Sequence, residues 1–163
     1  MAHPYVSQLR FARSELERCL EGTSPEDAVR RIKPMNCLSW IVGHLANQEH
    51  RYWVQWAQDK NIALGLDDLV GHSRPPSTPS WDEMWAACRR VTTSADDYLD
   101  NLQPGTLSVT LQPGDRPAQG VGRLILRNIY HYWFHLGEAH SMRQMLGHRD
   151  LPQFVGDLST VDI

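Results

Sequence analysis

Asn128, His131, His135 and Glu138 follow one another at spacings of three, four and three residues in the run RNIYHYWFHLGEAHSMRQML. In a helix that spacing puts all four polar side chains on one stripe. Val121 and Leu124 continue the stripe on one side and Met142 and Met145 on the other, so it reads as core-facing at both ends. Two imidazoles and a carboxylate buried without partners cost several kcal/mol. A divalent metal ion held between helices is the most economical way to remove that cost. His131 and His135, at i and i+4, reach one ion from the same face. His44, in the apolar setting SWIVGHLA, offers a third imidazole from another helix. Three neutral imidazoles suit zinc, nickel or ferrous iron and leave positions open for water or substrate. The bare H-x-x-x-H pattern also fits two hydrogen-bonded core histidines, or a pair facing water at a helix boundary. Its mid-helix place, the presence of His44, and the flanking Asn128 and Glu138 as partners of the ligands weigh for the metal.

Those residues need long helices to hold them. Tyr5, Leu9, Ala12, Leu16 and Leu20 recur at helical spacing from Pro4 to about Glu21, with Gly22 as the stop. TSPEDAVRRIKP reads as a connector with one helical turn opened by Ser24 and Pro25. A second helix, capped by Asn36, is predicted to reach about Gln58, and its face carries Leu38, Ile41, Val42, Leu45, Tyr52, Trp53 and Trp56. Residues 60–79 read as a long loop, because GHSRPPSTPS is too rich in proline and polar residues to be regular. Ser80-Trp81-Asp82-Glu83 is a capping-box pattern that opens a third helix to about Leu102. The alternation Leu107-Ser108-Val109-Thr110-Leu111 and the turn signal Pro113-Gly114-Asp115 predict a short hairpin or ordered loop. The last helix is predicted from about Val121 to Leu146, with Gly147 ending it.

The fold class is therefore all-α: a four-helix bundle in residues 1–150, with long second and third connectors that permit a crossover topology, and an irregular tail over 151–163. A chain of 163 residues can bury a proper core without disulfides. A formal charge of −3 leaves no electrostatic footprint for nucleic acid, and no Lys/Arg cluster marks a membrane surface. Cys19, Cys37 and Cys88 are far apart and odd in number, so they read as buried hydrophobes in a reducing compartment. No secretory signal opens the chain and no apolar run is long enough to span a bilayer, so the expected location is the cytoplasm.

NCLSWIVGHLANQEHRYW resembles the second helix of the DinB-like superfamily, in which a tryptophan-rich segment carries a histidine ahead of a glutamate. HYWFHLGEAHSMRQMLG is similar to the last helix of that family: histidine, three residues, histidine, one residue, glycine and usually glutamine, then a basic residue and a closing glycine. Helix count, connector length and the PxN-type entry at Pro34-Met35-Asn36 fit as well. The resemblance implies a metal held by His44, His131 and His135. One departure stands out: Glu138 occupies the position where the family commonly has glutamine. An added carboxylate there could tighten a hydrogen bond to a ligand, coordinate directly, or accept a proton.

What the resemblance implies for function is a metal-dependent transferase that activates a low-molecular-weight thiol as cosubstrate. Glu138 or Glu49 would then orient a ligand or take the proton, with Trp40 and Asn128 as pocket candidates. Two alternatives remain at this stage: a hydrolase using metal-bound water with Glu138 as base, and a non-catalytic bundle binding a metal, a small molecule or a partner. A homodimer through the faces of helices two and four is also an expectation. His50 is predicted to be exposed, Glu49 to form a salt bridge or face water, and His140 to sit at a boundary. His3, His72 and His148 read as exposed and uninvolved. Arg127 and Arg143 read as solvated, with reception of an anionic substrate as the alternative.

Overall fold

The computed structural model describes residues 3–115 and 117–161. Its helices are α1 (Pro4–Leu20), α2 (Pro25–Val29), α3 (Leu38–Glu49), α4 (Leu66–Val70), α5 (Trp81–Leu99) and α6 (Val121–Met145). Buried apolar side chains from Val6 to Met142 form one cluster that draws on all of them. Around it α1 packs on α6 and α3 packs on both α5 and α6. Arg10 and Arg13 of α1 reach Asp96 and Asp100 at the end of α5, which places α1 beside α5. The ring order is thus α1, α6, α3, α5. The connectors before α3 and before α6 cross the diagonal, whereas the one between α3 and α5 joins neighbours. The all-α bundle is as expected, and so is a crossover, although its connectors are the first and third.

Local chemistry accounts for most of the boundaries. Proline opens α1, and the His3 ring accepts the Tyr5 N–H. His3 is therefore a cap and not a spectator. Ser24 caps α2 through the Asp27 N–H, and Ser80 caps α5 through the Glu83 N–H. Gly147, at φ +87°, takes the left-handed conformation that ends α6.

The second long helix departs from expectation in its cap and in its winding. Asn36 does not cap it: Cys37 is the first flanking residue, and its side chain makes no capping hydrogen bond. The chain stays helical through Gln58, but His50–Trp56 is a π-helix, a wider turn that advances each side chain less per residue. The 60–79 connector is not wholly irregular, because α4 lies inside it. Its Leu66 and Val70 are buried. The expected short hairpin forms, Thr110–Leu111 pairing antiparallel with Gln119–Gly120, although Leu107 and Ser108 belong to a preceding 3-10 turn, Pro104–Ser108. The tail carries one 3-10 turn, Leu158–Thr160, and lies against α1: the Gly156 N–H donates to Glu15, and the Arg18 guanidinium sits 4.7 Å from the Phe154 ring centre. Among the described residues no helix is long and apolar enough to cross a membrane.

All three cysteines are buried. Burial pushes the Cys19 thiol up to about 11 and Cys88 to about 12, so neither supplies a thiolate near neutral pH.

Candidate metal centre

α3 and α6 run antiparallel, so His44 faces His131 and His135 while Gln48, one turn later, faces Asn128. Gly43 permits the close approach of α3: a β-carbon there would run into Met84 and the Val70 side chain. One nitrogen from each of His44, His131 and His135 lies within 4.8 Å of the other two. His135 is buried and the other two rings are half-buried. The stripe read from the sequence is thus inward at Asn128, His131 and His135, but Met145 at its far end is exposed.

Hydrogen bonds fix which nitrogens are available. His44 Nδ1 lies 2.7 Å from the Val70 carbonyl, which can only accept, so Nδ1 carries the proton and Nε2 keeps a lone pair. His135 Nδ1 lies 2.6 Å from Glu138 Oε2, which settles that ring in the same way. The ε nitrogens of His131 and His135 are 3.0 Å apart. Without an ion that short contact needs a proton on His131 Nε2, and it leaves the buried His131 Nδ1 with no hydrogen-bond partner. A cation in place of that proton lets all three ε nitrogens donate lone pairs to it. Nitrogens on a tetrahedral zinc stand about 3.3 Å apart, near the 3.0 Å between the His131 and His135 ε nitrogens, and the His44 nitrogen lies within 4.8 Å of both. The donor set therefore fits a divalent ion.

Electrostatics keep the rings ready to bind. Burial drives the His44 pKa down to about 4, with the neighbouring His135, Arg51 and His72 adding to it against the Val70 hydrogen bond. Burial also drives His131 down to about 3, helped by His135, His44 and Arg127. Both are neutral at pH 7, the form a metal requires. Trp40 stacks on His44 with ring centres 4.3 Å apart and planes 14° apart, and it meets His135 edge-on at 6.3 Å. That contact fixes the His44 ring plane.

The other expected site residues are placed differently. Asn128 is fully buried; its Oδ1 accepts from Trp53 Nε1 and its Nδ2 donates to Gln48 Oε1. Neither it nor Trp40 lines the cavity beside the imidazoles. Each touches a residue that does, Trp40 stacking on His44 and Asn128 donating to Gln48. Glu49 is not brought to the imidazoles, since its oxygens take the Arg13 guanidinium and the Tyr132 hydroxyl. His50 is buried and not exposed, because the loop after the π-helix folds over it and the Ile62 N–H donates to its Nε2. Arg143 is likewise buried, donating to the Cys19 carbonyl and to His148 Nδ1. His148, half-buried, reaches Asp27 with its other nitrogen. His140 packs on Phe154 at the tail.

Sequence reasoning missed α4, which serves the site twice. Val70 orients His44, and Asp67 accepts from Asn47 and Arg51 of the second helix. The signal was present as Gly65 followed by Leu66, Leu69 and Val70 at helical spacing. His72 and Arg127 line the cavity beside His44 and His131.

A family model described as the DinB superfamily matches residues 8–139. No curated protein matches the chain.

Proposed function

The chain belongs to the DinB superfamily, and on that premise we propose that it is a divalent-metal-dependent transferase that activates a low-molecular-weight thiol for attack on an electrophile. The observation that carries this reading is the convergence of three imidazole nitrogens, two of them freed as ligands by acceptors on their δ side. A divalent ion there supplies the positive charge that lowers the pKa of a thiol toward neutrality.

The chain's own residues do the rest. His44, His131 and His135 hold the ion. Glu138 holds the proton on His135 Nδ1, which keeps the ring in one tautomer and makes its other nitrogen a stronger donor. The Glu138 side chain is about one-third exposed, so its second oxygen is within reach of solvent to pass on the thiol proton. Trp40 and Val70 keep His44 from turning away. In the transfer a sulfur–carbon bond forms, the electrophile's bond to its leaving group breaks, and the thiol proton passes to solvent. Among the described residues the cysteines are buried, so the attacking sulfur comes from the cosubstrate.

Zinc-loaded protein, a small thiol and a generic alkylating electrophile should give conjugate well above the rate of the His135→Ala variant. Equal rates would remove the transferase. Turnover of esters or lactones without thiol would move the site to hydrolysis. Zinc-dependent stabilisation with no turnover at all would leave a binding protein. In that last case the His44→Ala variant would lose the stabilisation and nothing else.

A further inference from the structure

The groove between α3 and α6 opens beside the imidazoles into a cavity of about 470 Å³, whose walls include His44, His131, Gln48, Arg51, His72 and Arg127. Its chemistry is one-sided. Two arginines line it and, among the described residues, no carboxylate does. Arg127 has no carboxylate partner among the described residues; its charge is felt by His131 instead. Arg51 is held by Asp67 at 2.9 Å; Arg74 also reaches that carboxylate, at 3.3 Å, but has Asp68 nearer at 2.8 Å, so the uncompensated cation is Arg127. The wall therefore keeps an excess of positive charge.

Gln48 adds a directed donor. An indole N–H can only donate, so Trp53 Nε1 requires the oxygen of Asn128, 2.6 Å away. That turns the Asn128 NH2 toward Gln48 Oε1 at 2.7 Å. The same logic leaves the NH2 of Gln48 as the end without a protein partner, on a side chain that lines the cavity. A relay of three buried or half-buried groups thus fixes one amide as a donor in a cavity wall that also carries two arginines.

We infer that this cavity is a subsite for a carboxylate group carried by the small molecule that is processed at the imidazoles. Arg127 and Arg51 supply the charge and Gln48 the oriented hydrogen bond. A carboxylate matches better than a dianionic phosphate, because Asp67 already offsets part of the charge on Arg51 and one of the three donors is neutral. The imidazoles define the reacting end only through the metal reading above; the anion subsite itself stands on the arginines and the amide.

The test is calorimetric titration of succinate, its neutral diamide and inorganic phosphate into the metal-free chain, with zinc titrated separately. Succinate should bind, the diamide should not, and Arg127→Gln should weaken succinate by roughly tenfold or more while zinc still binds. Arg127 is on the surface, so that variant folds. A Gln48→Leu variant should weaken succinate as well, by a smaller factor. Equal affinity for succinate in wild type and Arg127→Gln, binding of the diamide as tight as that of succinate, or no measurable succinate binding overturns the subsite. Phosphate binding tighter than succinate overturns the carboxylate assignment. If zinc fails to bind while succinate binding still depends on Arg127, the metal reading falls and the subsite stands.

Discussion

Tyr132 and His131 are adjacent in the chain, yet their side chains join two polar clusters of opposite design. Tyr132 enters a paired network to which every long helical segment contributes: Arg13, Glu49, Asp96 and Tyr132, with Arg10 joining at its rim through Asp96. Arg13 Nε donates to Glu49 Oε1 at 2.8 Å and Nη1 to Asp96 at 2.8 Å, while Nη2 reaches the second Glu49 oxygen. The Tyr132 hydroxyl donates to Glu49 at 2.7 Å. Donors and acceptors cancel. Burial opposes charge on Arg13, but Glu49, with Tyr132 and Asp96 adding to it, holds the guanidinium well above its ordinary range. In the imidazole cluster nothing cancels. Lone pairs converge with no donor among them except one proton, and burial lowers His44 and His131 to about 4 and about 3. A buried polar group is therefore not evidence of a site in itself. The surplus of one kind of partner is.

The largest test of that contrast removes Glu49. Breaking a buried pair leaves a stranded charge, which costs on the order of 3–5 kcal/mol; Asp96 still accepts from Arg13, so the lower end is expected. Urea denaturation of Glu49→Ala should show that loss, and zinc affinity of the folded variant should match wild type. The opposite pattern, unchanged stability with lost zinc binding, would put Glu49 in the metal site and collapse the distinction between the clusters.

Acid titration separates the clusters next. His44 and His131 have folded pKa values of about 4 and about 3, against about 6.5 in an unfolded chain. Between those limits the unfolded state binds more protons, so stability falls as pH falls. The buried His50, lowered in the same way, adds to the slope. Glu15, Asp27 and Asp67 have pKa values lowered by their partners, so their stability is lost lower down, below the usual carboxylate range. The metal-free chain should therefore lose stability progressively from about pH 6.5 down toward pH 4. A His44→Ala variant should show a shallower slope in that window and the same slope below it. A metal-free wild type with flat stability from pH 7 to 5 would mean the imidazoles are not desolvated.

Much of the open cluster was legible because it depends on local spacing. The H-x-x-x-H step, the apolar turns around it and His44 in SWIVGHLA are properties of single helices, and α6 begins and ends within a residue of its predicted bounds. The paired network was not legible. Arg13 and Glu49 are 36 residues apart and Glu49 and Tyr132 83 apart, so nothing local announces their pairing. The only hint is that Arg13 stands next to a stripe residue, Ala12. α4 escaped notice because a five-residue helix has little stability of its own; Val70 and Leu66 hold it by packing into the core. The π-helix escaped for a related reason. Its register follows from what Trp53 and His50 meet in Asn128 and Ile62, not from propensity, and that is why His50 is covered when ordinary helical spacing turns it outward.

Glu138 gives the finest test, because one atom separates this chain from the glutamine its relatives commonly carry. A carboxylate accepting the His135 Nδ1 proton makes the ring a stronger donor than a neutral amide does, since the charge stabilises the partial positive charge that builds on the imidazole when it binds a cation. Glu138→Gln keeps an acceptor in the same place, so zinc affinity should fall by only a few-fold, up to about tenfold. Glu138→Ala frees the ring and should cost about 10- to 100-fold. Competition with a chromogenic chelator at fixed pH measures both. If alanine and glutamine weaken zinc equally, position matters little and charge is the whole effect. If glutamine binds zinc as tightly as glutamate, the carboxylate adds nothing to ligand strength, and its role shifts to its solvent-accessible oxygen. A rate loss in Glu138→Gln with intact zinc affinity would then identify that oxygen as the proton's route out.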